Sequence, residues 1–312
     1  MTGTPPPAAR EGGLPYALGA YTLWGLLPLY FVLLNPVDPY ALVGWRTLWT
    51  LPFCLLLLPL LGQWGAFRTA LGNRVALRMM LISAALIATN WLIYIVAVQH
   101  GQFFATSIGY YLSPLLSVLI GTVFLKERLG ALQWAAVSLA TAGVALLAFG
   151  ALDSLAISLG LALAFSAYGY VRKIAAVDAL PGLTIEAMIL VPVAIALIAL
   201  APVKETTFGQ DWWISGLLVA AGPVTAVPLL LYAAAARRMT LSGLGFVQFM
   251  APTLVFLMGL LVFGEEMDNA KLASFSIVWF AIGLFCLDIG MKSRRQRAAA
   301  KRSGSPVADS PS

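Results

Sequence analysis

Residues 107–129 read SIGYYLSPLLSVLIGTVFLKERL, and residues 243–266 read GLGFVQFMAPTLVFLMGLLVFGEE. Each is an apolar run of the length that crosses a bilayer, about 20 residues, with a proline inside it and a glutamate at its end. Pro114 is followed by Gly121 and Glu127, and Pro252 by Gly259 and Glu265, so all three matches share an offset of 138. The same offset carries Tyr94 onto Tyr232 and Ala97 onto Ala235 in the preceding runs. Upstream the spacing drifts by a few residues. Arg46 and Pro52 align with Glu186 and Pro192 at 140, and AYTLWG (20–25) aligns with AFSAYG (164–169) at 144. The ordered set, not any single pair, reads as a duplication.

Composition sets the solvent. Of 312 residues, 61% are apolar and only 10% are charged, against about 45–50% and about 25% in soluble domains. Too few polar residues remain to wet the outside of a water-soluble core. Apolar stretches fall at 15–34, 39–61, 79–99, 103–125, 132–149, 155–173, 184–201, 212–236, 243–263 and 271–291. Lipid offers no partner to backbone amides, and these runs lack the alternating polar period of barrel strands, so each is expected to be a helix. The predicted fold is therefore an all-α integral membrane protein of ten transmembrane helices, built as two inverted five-helix repeats. The first repeat spans 15–149 and the second 155–291, between a disordered N-terminus (1–14) and a disordered basic tail (292–312). Because five is odd, the second copy enters from the opposite face, the pattern of alternating-access transporters with midplane sites.

Charge gives the orientation. With the amino terminus inside, the inner segments hold Arg10, Arg68, Arg74, Arg78, Lys126, Arg128, Arg172, Lys173, Arg237, Arg238 and the tail residues Lys292, Arg294, Arg295, Arg297, Lys301 and Arg302, while the outer loops hold only Lys204 and Lys271. This positive-inside bias predicts that both termini are cytoplasmic. The formal charge of +6 is weighted to the tail, which fits membrane lipids as partners and implies no nucleic acid. The stretch 63–78 places Trp64, Phe67, Leu71 and Val75 on one face, as in a short helix lying on the inner leaflet.

Pro114 and Pro252 are each expected to break a helix near mid-depth, freeing the carbonyls of Tyr110 and Gln248. Such carbonyls should face a polar cavity or a neighbouring helix. Tyr111 flanks the first proline and Phe249 the second. Trp24, Asn90, Trp91, Tyr94, Tyr168 and Tyr232 also lie well inside spans, away from the interfacial belt, and their polar atoms need partners. They read either as interhelical hydrogen bonds or as the lining of a cavity for an amphipathic small molecule. Arg46, seven residues into its span, carries an intramembrane charge that costs roughly 2.5–3.5 kcal/mol at mid-bilayer. It is a candidate substrate or gating contact. Glu186, its repeat mate, begins a span near the inner face, too far away to pair with it. Asp288 reads as a solvated carboxylate near a span end, and His100 as a surface residue in a turn. Cys54 and Cys286 sit in apolar runs and read as packing residues.

At these motifs the chain resembles the EamA family of the drug/metabolite transporter superfamily. The runs ISAALIATNWLIYIVAV (82–98), SIGYYLSPLLSVLIGTVFLKERL (107–129), LALAFSAYGYVRK (161–173) and GPVTAVPLLLYAAAARRMTLSGLGFVQFMAPTL (222–254), with Arg46 and Glu186, are similar to its RarD subgroup. The resemblance covers about residues 14–291. It implies a ten-helix permease of the bacterial inner membrane, of the kind called chloramphenicol-sensitivity permeases, with a small-molecule solute in a cavity formed mainly by spans 1, 3, 4, 6, 8 and 9.

Three function classes compete on residues alone. A secondary transporter is the leading expectation. A membrane enzyme would need His, Cys or paired carboxylates brought together; the lone His is in a turn and both Cys are in apolar runs, so no catalytic residue, metal site or cofactor is assigned. A non-transporting receptor or scaffold would keep the cavity without flux. No G-x-x-x-x-G-K-[ST] loop is present, so any driving force comes from a gradient. The sequence leaves homo-oligomer formation open.

Overall fold

The computed structural model describes residues 12–100, 102–148, 155–202, 208–262 and 269–302. Its elements are α-helices: α1 (Gly13–Leu33), α2 (Pro39–Leu60), α3 (Trp64–Gly72), α4 (Arg74–Gln99), α5 (Phe103–Val123), α6 (Ala131–Ala148), α7 (Leu155–Ile174), α8 (Ala179–Leu200), α9 (Trp212–Ala236), α10 (Leu241–Gln248), α11 (Met250–Leu261) and α12 (Asn269–Arg302). Among the described residues, eight segments are long and apolar enough to cross a bilayer. These are α1, α2, most of α4 and α5, α7, α8, α9, and Leu241–Met258, which joins α10 to α11. Ala131–Leu146 and Leu272–Phe285, in the fifth and tenth expected runs, are shorter apolar helices. The chain is a multi-pass all-α membrane protein. Glu265, Lys204 and residues 1–11 lie outside the described residues, as do the side chains of Cys286 and the basic tail.

Local sequence explains the helix starts. Asp38 caps α2, its carboxylate accepting from the Tyr40 amide at 2.9 Å, with Pro39 in the first turn, where its missing N–H is not needed. Asn73 separates α3 from α4, its side-chain oxygen accepting from the Val75 and Ala76 amides at 2.9 and 3.2 Å. The surface helix expected over 63–78 therefore stops at Gly72. It buries Phe67 and Ala70, while Trp64, Leu71 and Val75 stay exposed.

Three expectations are corrected. α5 runs unbroken through Pro114, whereas the second proline segment does break, between α10 and α11 at Phe249. Pro252 falls in the first turn of α11, a position that suits proline. Around Pro114, serines bond neighbouring carbonyls: Ser113 donates to the Gly109 carbonyl at 3.0 Å, and Ser166 of α7 donates to the Ser113 carbonyl at 2.9 Å. Second, α12 continues as helix through the basic segment to Arg302, because Ala, Lys, Arg and Gln are strong helix formers; α1 likewise already starts at Gly13. Third, Asp288 is buried, since the helix continues well past it.

The chain divides into two compact units, one holding α1–α5 and α7–α11, the other α6 and α12. Within the larger unit, α5 packs on α7 and on α10, α4 on α7 and α8, α2 on α8 and α9, and α1 on α9, α10 and α11. Small residues permit these approaches. A Cβ on Gly222 of α9 would stand 2.5 Å from the Trp49 carbonyl oxygen of α2, so α2 and α9 touch backbone to backbone. In the smaller unit α6 packs along α12, and Gly143 faces Ser274 and Val278.

Candidate functional site

The sequence-selected residues separate into two layers of the larger unit. In the first, Arg46 of α2 holds its guanidinium carbon 4.3 Å from the centroid of the Trp91 indole on α4. Tyr94 of α4 and Tyr110 of α5 have ring centroids 6.2 Å apart, and both lie within electrostatic reach of Arg46. Arg46 is seven residues from the start of α2, Trp91 eight from the end of α4 and Tyr110 seven from the start of α5. At about 1.5 Å per residue all three lie roughly 10–12 Å below the same end of the unit. Arg46 Nε is buried with no hydrogen-bond partner. Among the described residues, the ion pairs are Arg172–Glu186 and Arg237–Asp178, and neither includes Arg46. Contact with an aromatic face contributes about 2 kcal/mol for a desolvated cation, comparable to the roughly 2.5–3.5 kcal/mol insertion cost. The guanidinium is thus tolerated, yet its donors are not all used.

Two cavities meet at this layer, sharing Thr47, Trp91 and Leu190. The larger, about 290 Å³, is lined by α2, α4 and α8 through residues that include Val43, Ala88, Leu92, Ile95, Val193 and Leu197, with Thr47 and Thr89 as its hydroxyls. The smaller, about 10 Å³, reaches down to Tyr168 and Glu186, space for about one water.

The second layer is built around Glu186 of α8, which is 2% exposed, and Arg172 of α7, 1% exposed. Glu186 Oε1 accepts from Ser83 Oγ at 2.5 Å and from Arg172 Nη1 at 3.3 Å, and the Tyr168 hydroxyl also hydrogen-bonds this carboxylate. Arg172 Nη2 donates to the Ala179 carbonyl at 3.1 Å. Tyr168 stacks on Tyr232, with centroids 5.8 Å apart and planes 13° from parallel. Trp24, Tyr21 and Phe165 close around the pair. The space is tight: a Cβ on Gly182 would stand 2.2 Å from Arg172 Nη1, and one on Gly169 would stand 2.1 Å from Tyr232 Oη. Ser83 and Trp91 are eight residues apart on α4, so the two layers are separated by about 12 Å. The expectation that Arg46 and Glu186 do not pair agrees with this geometry.

The remaining candidates are placed as follows. Asn90 donates to the Leu161 carbonyl at 3.0 Å and ties α4 to α7. Tyr111 and Phe249 have ring centroids 6.4 Å apart, and Gln248 is buried beside them in sequence. The Pro114 carbonyl lies against Gly245, where a Cβ would meet it at 2.7 Å. Pro252 is partly buried in α11.

Residues with large structural roles escaped the sequence reading. Arg172 was counted only as an inner positive charge at the end of its span, but it is buried; its position four residues after Tyr168 was the available signal, since i and i+4 share a helix face. Glu127 does not end in solvent. Its carboxylate accepts from the Leu241 amide at 2.7 Å, from the Ser242 amide at 2.9 Å and from Ser242 Oγ at 2.7 Å, capping α10 from the loop that follows α5. The cap is helped by the positive end of the helix dipole. Gly121 is required for it, since a Cβ there would stand 2.6 Å from Glu127 Oε2. Lys173 Nζ donates to the Ala236 and Met239 carbonyls at 3.2 and 2.5 Å, at the carboxyl end of α9.

Comparison with known proteins joins this arrangement to a family. A profile described as the EamA-like transporter family matches residues 12–149. An uncharacterized transporter of Pseudomonas aeruginosa is 42% identical over 289 residues, covering 90% of this chain and 95% of its own. Protein RarD of Escherichia coli is 41% identical over 290 residues, covering 92% and 97%. The chain belongs to the RarD subgroup of the EamA family. A protein of Pseudomonas aeruginosa named chloramphenicol-sensitive protein RarD is 32% identical, covering 91% of this chain and 96% of its own. One solved crystal structure, 17% identical, superposes with a TM-score of 0.72 over 89% of this chain and 97% of that one, and shares the fold. As a member of the RarD subgroup, the chain is a membrane transporter of the drug/metabolite superfamily, not an enzyme, and its partner is a small-molecule solute. Within this RarD-subgroup chain, the Arg46 layer adjoins the 290 Å³ cavity and holds a buried arginine that, among the described residues, has no carboxylate partner.

Proposed function

We propose that the chain is a permease of the bacterial inner membrane that moves a small amphipathic solute by alternating access between two inverted five-helix repeats, 15–149 and 155–291, with both termini cytoplasmic. The observation that carries this reading is the reciprocity of the helix pairing. α5 packs on α7 as α10 and α11 pack on α1; α4 packs on α7 as α9 packs on α1; α4 packs on α8 as α9 packs on α2; and α2 packs on α8. Exchanging the two halves maps these pairs onto one another, as a two-fold relation between five-helix copies requires. The unequal ends of the larger unit support the rest. The Glu186 and Glu127 end is closed by bonds that cross between the copies, while the Arg46 end holds the 290 Å³ cavity. Rocking the copies would reverse which end is closed.

The test is solute flux in proteoliposomes, with and without an imposed pH gradient, using a panel of amphipathic aromatic compounds of the chloramphenicol type. Saturable uptake is expected, and it should fall when Pro114→Ala and Pro252→Ala are combined. Unchanged flux in that double variant would remove the proline segments from the mechanism. Binding without flux in sealed vesicles would favour a receptor.

A further inference from the structure

We propose that Arg46 binds the carboxylate of a monoanionic solute whose apolar body occupies the neighbouring 290 Å³ cavity. The inference rests on the transporter reading above and narrows its substrate class. Its first support is the unused donor: Arg46 Nε is buried and makes no hydrogen bond. Its second is the absence of a resident anion. Among the described residues no carboxylate pairs with Arg46, and Glu186 belongs to the layer about 12 Å away, where Arg172, Ser83 and Tyr168 already engage it. The third is the surroundings. The Trp91 ring covers one face of the guanidinium at 4.3 Å, leaving its edge for a planar, two-pronged acceptor. Tyr94 and Tyr110, both near Arg46, bring hydroxyls able to donate to the same acceptor.

Charge balance selects the class. One guanidinium matches one carboxylate, whereas a phosphate monoester carries up to two charges and would find no second cation paired into this layer. A zwitterion would bring an ammonium group with no carboxylate to receive it. The apolar walls formed by Val43, Leu92, Ile95 and Val193 suit a ring or branched chain attached to the carboxylate. Trp91 belongs to both the cation contact and the cavity wall, so the two parts of such a solute are held as neighbours.

Four compounds of one shape separate these terms: 3-phenylpropanoate, phenylalanine, 3-phenylpropanol and 3-phenylpropylamine. Binding to purified protein in detergent is measured by calorimetry at neutral pH, apart from any flux assay. 3-Phenylpropanoate is expected to bind at least about tenfold more tightly than the other three, the scale of one charge-assisted hydrogen bond. Arg46→Gln should remove that preference, and Arg46→Lys should keep part of it. Because Arg46 satisfies no buried acid, Arg46→Gln should unfold at the same or a higher temperature; a merely structural arginine would lower it. Carboxylate binding without flux would leave the inference standing and overturn the transporter reading. Flux of other solutes, with no preference for the carboxylate or with a preference that survives Arg46→Gln, would overturn the inference and leave the transporter reading standing. Failure of all four to bind would also overturn it.

Discussion

Arg46 and Arg172 are arginines of two membrane-crossing helices, in layers about 12 Å apart in depth, and their surroundings treat them in opposite ways. Arg172 is 1% exposed and is matched by Glu186, the Ala179 carbonyl and the Met80 sulfur. Arg46 has an indole against its face and, among the described residues, no carboxylate paired with it, although the Nε atoms of both arginines are buried without a hydrogen bond. The first arrangement locks α4, α7 and α8 together; the second leaves binding capacity beside a cavity. A buried guanidinium paired with a carboxylate is a fastener, and one with no carboxylate beside it keeps its charge available to a ligand. Burial alone does not distinguish the two.

The sharpest way to break this contrast is at Glu186. Glu186→Ala strands Arg172 in an apolar interior and is expected to cost about 3–5 kcal/mol of stability, read as a large drop in the unfolding temperature in detergent. Replacing both partners, as Arg172→Met with Glu186→Met, should recover most of it; a double variant no better than the single one would mean the layer is held by something else. Next in size is Gly182→Ala, whose new methyl would press on Arg172 Nη1 and should cost about 1–3 kcal/mol by overpacking. Gly216→Ala, with nothing near its Cβ, is the matched control and should be neutral in the same melt.

Glu127→Gln tests the closure at the Glu186 end with a smaller effect. The amide side chain keeps an acceptor for α10 but loses the charge, so about 1 kcal/mol is expected. The change should raise the reactivity of a cysteine placed at Ser242 toward a membrane-impermeant thiol reagent applied to the face at the Glu127 end. Unaltered reactivity would argue that this cap is not part of a gate. At the bottom of the scale, Arg46→Gln should leave the unfolding temperature level or raised. A clear loss of stability there would erase the distinction between the two arginines.

Much of the fold was legible because lipid imposes a single-valued constraint. Runs of about 20 apolar residues locate the helices without knowledge of their neighbours, while the caps at Asp38, Asn73 and Asp211 became evident only in the structure. The site was legible only in part. Aromatic and amide residues inside spans were recognisable as unusual, and Arg46, Trp91, Tyr94 and Tyr110 do come together. Asn90, chosen on the same ground, is spent on the Leu161 carbonyl, because an intramembrane amide serves helix packing as readily as a ligand. Arg172 was hidden by its place two residues from a helix end, where a basic residue ordinarily faces water. Glu127 was hidden because its partner lies in α10, more than a hundred residues away.

The sequence by itself determined that this chain is a helical membrane protein, and the matched proline, glycine and glutamate positions carry the proposal of two repeats. These properties depend on hydropathy and order along the chain, which are local or one-dimensional. Only the tertiary structure decided which polar residues are consumed by one another and which are left over. Hydrogen-bond satisfaction is a property of neighbours in space, and inside a membrane no solvent is present to make up the difference. That is why Arg172 is paired with Glu186 in one layer of the larger unit, while Arg46 in the other has no carboxylate partner among the described residues.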